Sequence, residues 1–202
     1  MSEPPDGLFA LVLAAGGSRR LGSPKQLLTI GGETLIRRTL RRASAVCGGR
    51  TIVVLGCEWR AVLRGAADAV GFFTLNDAWQ SGLASSLGLG VRAVPDDCPA
   101  VLVMLADQPL VDRHDLDRLT GAWRRSPSRI AASRYDETLG PPAIFPRAFF
   151  PELLQLSGDR GARPVLERHR GALTIVDCEH AALDVDTPDD VAALAARSTD
   201  GD

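Results

Sequence analysis

Short apolar runs alternate along this chain with stretches whose apolar residues recur every three or four positions. Leu8–Val12, Thr51–Leu55, Val70–Leu75, Ala100–Leu105, Ile130–Ser133 and Leu173–Val176 read as strands buried on both faces. Between the first two, Leu35, Ile36, Leu40, Ala43 and Val46 mark one face of an amphipathic helix. Leu83–Val94, Leu116–Trp123 and Val191–Ala196 carry the same spacing. Such alternation predicts a three-layer α/β fold with a mostly parallel sheet. With no internal repeat, low-complexity tract or linker, residues 1–202 are expected to form a single domain, frayed at 1–6 and 198–202.

Composition narrows the class. Apolar residues make up 45% and charged residues 24%, as in ordinary globular domains. A net charge of -2 argues against a nucleic-acid partner, whose protein surface is normally basic. No apolar stretch approaches the length of a membrane span, and no N-terminal run resembles a signal peptide. Cys47, Cys57, Cys98 and Cys178 form no Cys-x-x-Cys pair, which leaves reduced thiols in a cytoplasmic protein as the expectation.

In open α/β sheets, ligands bind beyond the carboxyl ends of the strands. The segment after the first strand, Leu13-Ala14-Ala15-Gly16-Gly17-Ser18-Arg19-Arg20-Leu21-Gly22-Ser23-Pro24-Lys25, joins glycines to three cations. Glycines let backbone N–H groups approach an anion, and Arg19, Arg20 and Lys25 supply charge for a polyphosphate. A Walker A loop is excluded because Ser23 and Pro24 separate Gly22 from Lys25. The adjacent glycines likewise fail the dinucleotide Gly-x-Gly-x-x-Gly pattern.

Asp107 follows Val101–Leu105, where a carboxylate suits a hard cation such as Mg²⁺; the bland alternative is a cap on the next turn. Asp186 is free to join it, with Asp184 a weaker substitute. Thr187 resembles a helix N-cap, Pro188 suits the first helical position, and Asp189 and Asp190 complement the helix dipole. The segment from Asn76 to Ser86, with Gly82, suits a base or ribose edge and equally an elaborate helix cap, while Trp79 reads as a packing residue. Gly158-Asp159-Arg160-Gly161-Ala162-Arg163 reads as a grip for an anionic acceptor or as a helix start capped by Asp159. His114, His169 and His180 are isolated and receive no catalytic role.

Taken in order, these segments resemble the molybdenum cofactor cytidylyltransferases and the wider NTP-transferase group around them. The resemblance rests on Leu13–Lys25, Asn76–Ser86, Asp107-Gln108-Pro109, Gly140-Pro141-Pro142, Gly158–Arg163 and Asp184–Asp190, and covers nearly the whole chain. Leu21 replaces the methionine often found in the loop.

The resemblance implies a Rossmann-like nucleotidyltransferase fold. It also implies transfer of a nucleoside monophosphate, CMP from CTP by the Ala14-Ala15 form of the loop, to molybdopterin with release of pyrophosphate. Leu13, Ala14, Ala15, Gly16, Gly17, Ser18, Arg20, Gly22 and Lys25 would hold the triphosphate, and Asn76, Gly82 and Ser86 would lie near the base and ribose. Asp107 and Asp186 would hold Mg²⁺, with Lys25, Arg20 and Asp107 catalytic. Gly140, Pro141, Gly158, Asp159, Gly161 and Arg163 would face the acceptor. Arg19 fills a variable position and is expected in solvent. A molybdenum hydroxylase is the implied recipient. A sugar phosphate acceptor, a non-catalytic maturation protein and a nicotinamide-dependent oxidoreductase are the rival readings, and pyrophosphate release separates the transferase from the last two.

Overall fold

A computed structural model describes residues 7–18 and 20–199. The expected fraying of residues 1–6, and the solvent position expected for Arg19, fall outside the described residues. The main sheet has seven strands in the order β5-β4-β1-β6-β8-β7-β9. These are β1 Phe9–Ala14, β4 Thr51–Leu55, β5 Phe72–Leu75, β6 Ala100–Leu105, β7 Ala131–Tyr135, β8 Thr138–Pro146 and β9 Thr174–Asp177. β2 Thr29–Ile30 and β3 Glu33–Thr34 form a separate hairpin, turned by Gly31 and Gly32. β1 pairs in parallel with β4 on one side and β6 on the other, so Leu13 stands between Val54 and Leu105. β8 alone runs antiparallel to its neighbours in the main sheet.

Alternate residues of β1 serve opposite faces, as a strand's period of two requires. Leu8, Ala10 and Val12 pack with Ile36 and Leu40 of α1 (Leu35–Cys47) and Leu116 and Leu119 of α4 (Arg113–Arg125). Leu11 and Leu13 pack with Leu87 and Val91 of α3 (Leu83–Ala93), and with Leu153, Val165 and Leu166. Those last three belong to the short helices α5 (Phe150–Leu154) and α6 (Arg163–Arg168). The result is the three-layer arrangement that the alternation predicts.

Helix ends follow local chemistry. Thr34 Oγ1 accepts from Arg37 N at the start of α1, and Gly48 closes it at φ 60°. Asp112 and Asp115 form a reciprocal capping box on α4. α7 (Pro188–Thr199) begins at the expected proline and includes residues 198 and 199, which the sequence placed in a frayed tail. Among the described residues no helix is long and apolar enough to cross a membrane.

Several boundaries differ from expectation. β1 continues to Ala14, β5 starts only at Phe72, and β7 runs on to Tyr135. β8 is absent from the expected strands, because Gly140, Pro141 and Pro142 interrupt its apolar pattern. The pairing of β7 with β8 shifts register between Ala132 and Ser133, which accommodates that irregular stretch. The short helices α2 (Trp59–Gly65), α5 and α6 are too brief to show a helical period.

Candidate active site

Because β1, β4 and β6 are parallel, their carboxyl ends open on one edge of the sheet. The backbone beyond β1 is fixed from both sides. Cys57 N donates to Ala15 O at 3.1 Å, and the buried Gln26 amide donates to Ala14 O and Gly16 O at 3.0 and 3.2 Å. Ser18, at φ 45°, turns the chain and accepts from Lys25 N at 2.9 Å. Gly17 must be glycine, since a Cβ there would stand 2.8 Å from the Trp79 ring. Trp79 therefore packs on the loop as expected, and it also forms part of the cleft wall.

A cleft of about 520 Å³ lies over this edge. Leu13, Ala15, Gly16, Gly17, Arg20, Lys25, Gly82, Ser86, Asp107, Asp159 and Asp186 line it. Ser18 and Gly22 instead face an adjoining hollow of about 180 Å³ that shares Gly16 and Gly17 with the cleft. Ala14 is buried as the last residue of β1.

Charges meet at the centre of the cleft. Lys25 Nζ donates to Asp107 Oδ2 at 2.5 Å and to Asp186 Oδ1 at 2.6 Å, and Arg20 donates to Asp186 Oδ2 at 2.5 Å. Burial works against the Lys25 ammonium, but the charges and hydrogen bonds of Asp107 and Asp186 outweigh it and raise its pKa. Burial alone would raise the Asp186 carboxyl, yet Lys25 and Arg20 hold it below the usual carboxylate range. Asp184 is exposed and does not line the cleft. Desolvation, and then repulsion from Asp107, push it up to about 6.

Asp107 does not cap the following turn, since among the described residues its side chain pairs only with Lys25. Its other oxygen, Oδ1, is buried with no hydrogen-bond partner. A buried carboxylate oxygen left unsatisfied beside a second carboxylate is what a hard divalent cation requires, so the donor set fits Mg²⁺ or Mn²⁺. A second group, Asp112, Asp115 and His180, has its ligand atoms within 4.8 Å of one another. There the two carboxylates are already committed to the α4 capping box, and His180 Nδ1 lies 2.7 Å from Asp115.

The base-side residues divide. Asn76 is buried outside the cleft, accepting from Ala78 N and donating to Ser85 Oγ and Ser86 Oγ at 2.8 and 2.9 Å. Its amide shapes the turn, and both of its N–H donors are spent on the two serines. Gly82, at φ 110°, is docked under Gly158, whose carbonyl accepts from Ala84 N at 3.0 Å. Gly161 packs on Leu83. Thus Gly158 and Asp159, expected on the acceptor side, share a wall with Gly82 and Ser86. Asp159 caps nothing, since α6 starts after Ala162 without a side-chain cap.

Gly140 and Pro141 lie elsewhere, beside Gln108. The Gln108 amide donates to Ala181 O at 3.0 Å and Pro141 O at 3.3 Å, bracing the chain around Asp184. The Tyr135 hydroxyl lies against Gly140, and burial with the Asp184 charge pushes its pKa up to about 12. Arg163 is exposed at the first position of α6. Gln26, Leu105 and Ala106 were not singled out as cleft residues, and Gln80 and Leu83 were expected there only as members of the Asn76–Ser86 segment. Only adjacency to Lys25 and Asp107 pointed to Gln26 and Ala106, and Gln80 carried no signal of its own.

Residues 10–173 match the MobA-like NTP transferase domain. The chain belongs to this family of nucleotidyltransferases. Nicotine blue oxidoreductase of Paenarthrobacter nicotinovorans is 32% identical over 88% of this chain and 91% of its own. A probable molybdenum cofactor guanylyltransferase of Rhodopirellula baltica is 30% identical over 64% and 62% of the two chains. Among solved structures, the rv0371c homologue from Mycobacterium sp. strain JC1 is 32% identical with a TM-score of 0.83, covering 96% of this chain and 98% of its own. The manganese complex of Rv0371c from Mycobacterium tuberculosis H37Rv is 29% identical with a TM-score of 0.78, covering 93% and 97%.

Proposed function

We propose that this MobA-like protein transfers CMP from CTP to the phosphate of a molybdopterin-type acceptor, with release of pyrophosphate. The observation that carries the reading is the meeting of Lys25, Arg20, Asp107 and Asp186 in one cleft, directly beyond a glycine loop. Two cations suit a triphosphate and two carboxylates suit its metal. The relatedness to a probable molybdenum cofactor guanylyltransferase supports the acceptor class. Cytidine use rests on the Ala14-Ala15 form of the loop.

An acceptor phosphate oxygen is already ionised at neutral pH, so the chain needs no nucleophile of its own. The acceptor oxygen bonds to the α-phosphorus as the bond from that phosphorus to the β-bridging oxygen breaks, and pyrophosphate carries the charge away. Backbone groups of Gly16 and Gly17 cradle the phosphates, and Lys25 and Arg20 neutralise charge that grows on the leaving group. Asp107 and Asp186 are the residues that would hold a divalent cation, which supplies Lewis-acid neutralisation of the phosphate oxygens. On the acceptor side Pro141 is the candidate, half-buried beside Gln108, whereas Gly140 is covered by the Tyr135 hydroxyl.

Incubation with molybdenum cofactor, Mg²⁺ and each NTP in turn, followed by product mass and a pyrophosphate assay, tests the reading. Cytosine dinucleotide formed with CTP alone is expected, and no product with any NTP overturns it. The likeness to nicotine blue oxidoreductase supports a second reading, a nicotinamide-dependent oxidoreductase in which a reduced nicotinamide passes its hydride to an organic acceptor. Turnover with hydride transfer and without pyrophosphate would select it.

A further inference from the structure

We infer that Lys25 competes with the divalent cation for Asp107 and Asp186, and that the triphosphate frees both carboxylates by drawing Lys25 away. The inference rests on the metal and nucleotide roles proposed above. Of the four carboxylate oxygens, Lys25 engages one on each residue, Arg20 engages a third, and Asp107 Oδ1 alone has no partner. Asp107 Oδ1 is open to a cation, but a cation ligated by both residues must also take an Asp186 oxygen at about 2.0–2.1 Å, and Lys25 and Arg20 hold the two Asp186 oxygens at 2.6 and 2.5 Å. A dication there would displace or directly face the Lys25 ammonium that now bridges the two carboxylates, and like charges at that range repel.

The lysine can move while its anchor stays. Its backbone is pinned by Ser18 Oγ, and the pinned end leads into the short turn Lys25–Leu27, so only the flexible four-carbon stem needs to swing. A triphosphate over Gly16 and Gly17 offers that stem a new partner within the same cleft. The loading is then an exchange: Lys25 passes from carboxylates to phosphates as the carboxylates pass to the cation. Each charge keeps a partner throughout. Metal alone would strand the Lys25 ammonium, and triphosphate alone would strand Asp107 and Asp186, either of which is costly for partly buried charges.

The experiment is Mn²⁺ titration without nucleotide, read from the EPR signal of free Mn²⁺, on wild type, Lys25→Met, Arg20→Met and Asp107→Asn. Lys25→Met should bind Mn²⁺ about tenfold more tightly than wild type, the scale of one lost charge-assisted hydrogen bond. Arg20 is exposed and, among the described residues, pairs with Asp186 and not with Asp107, so Arg20→Met should gain less than about threefold. An unchanged or weakened Lys25→Met affinity overturns the inference, as does an equal gain in Arg20→Met, which would reflect net charge only.

Asp107→Asn separates the two levels. Undiminished Mn²⁺ binding there removes the metal site itself, whereas lost binding with no gain in Lys25→Met removes only the competition. If Lys25→Met fails to fold, wild-type protein answers by acylation of Lys25 with acetic anhydride, read by peptide mass. Labelling should rise severalfold when Mg²⁺ is added, and unchanged labelling overturns the inference.

Discussion

Lys25 and Asp107 are separated by 82 residues of sequence and by 2.5 Å in space, Nζ to Oδ2. The lysine stands in the turn that closes the glycine loop, and the aspartate follows β6 at the same edge of the sheet. β1 and β6 are hydrogen-bonded neighbours, so this contact is a consequence of strand order.

Loss of the Asp107 charge therefore strikes catalysis and spares the fold. Asp107→Asn keeps the side-chain volume, and Lys25 retains Asp186 as its partner. Nucleotidyl transfer should fall by at least about a hundredfold, the scale of one deleted transition-state contact. Stability should change by only about 1–2 kcal/mol, because Lys25 keeps Asp186 and the neutral amide no longer buries an unpartnered carboxylate oxygen. Asp107→Ala should abolish turnover in a folded protein. Pyrophosphate release and a thermal melt check both, and near-wild-type transfer by either folded variant would remove the metal assignment.

Asp112 supplies a pH test remote from the cleft. As N-cap of α4 it accepts from Asp115 N at 2.9 Å. Burial pushes its carboxyl up, but that hydrogen bond and the charge of His180 outweigh it, so the folded value lies below the ordinary 3.8. A depressed folded value stabilises the protein above the unfolded value and loses that contribution as pH falls through the folded one. Asp112→Ala should cost about 1 kcal/mol at neutral pH, the usual worth of a cap. Urea unfolding of both proteins should show the gap narrowing below pH 3.8, as the Asp112 carboxylate takes up a proton, and a gap that stays constant there would remove Asp112 as the source of the effect.

How much of this was legible in the sequence depends on the range of the interaction involved. β1, β4 and β6 are buried on both faces, so they stand out as apolar runs. The glycine loop and Asp107 were legible because each follows such a run directly. β8 was not, since Gly140-Pro141-Pro142 reads as a break unless the partner strand β7 is known to yield at Ala132 and Ser133. Nor was the docking of Gly158 on Gly82, because a contact between two loops leaves no period in either. That is why Asp159 was placed with the acceptor and Asn76 with the base, when packing puts Asp159 in the cleft wall and Asn76 beneath it.

Leu11 and Gly90 give a test of the core below the site. Leu11 is fully buried on β1, and a Cβ at Gly90 of α3 would overlap its methyl groups. Leu11→Ala should destabilise by about 3–5 kcal/mol through lost burial and a residual cavity. Gly90→Ala should cost about 1–3 kcal/mol by overpacking. In the double variant the new methyl enters space that Leu11 vacated, so the combined loss should fall short of the sum by about 1 kcal/mol or more. Strict additivity in chemical denaturation would show that α3 does not pack on β1 in this register.

Gly82 joins stability to nucleotide binding. Its φ of 110° and ψ of 171° lie in a region essentially reserved for glycine, and a Cβ would overlap the Gly158 backbone. Both penalties act in Gly82→Ala, which should lose about 3 kcal/mol on unfolding. Gly158 provides the control, for its φ is also positive at 77° but a Cβ there meets nothing within 4 Å. Gly158→Ala should lose only about 1–2 kcal/mol, the cost of the backbone conformation alone. Because Asp159 rides on the same contact, Gly82→Ala should also raise KM for the nucleotide more than it lowers kcat. Equal stability losses in the two variants, or an unchanged KM in Gly82→Ala, would mean that the 158–159 corner is not seated on Gly82 when the cleft is filled.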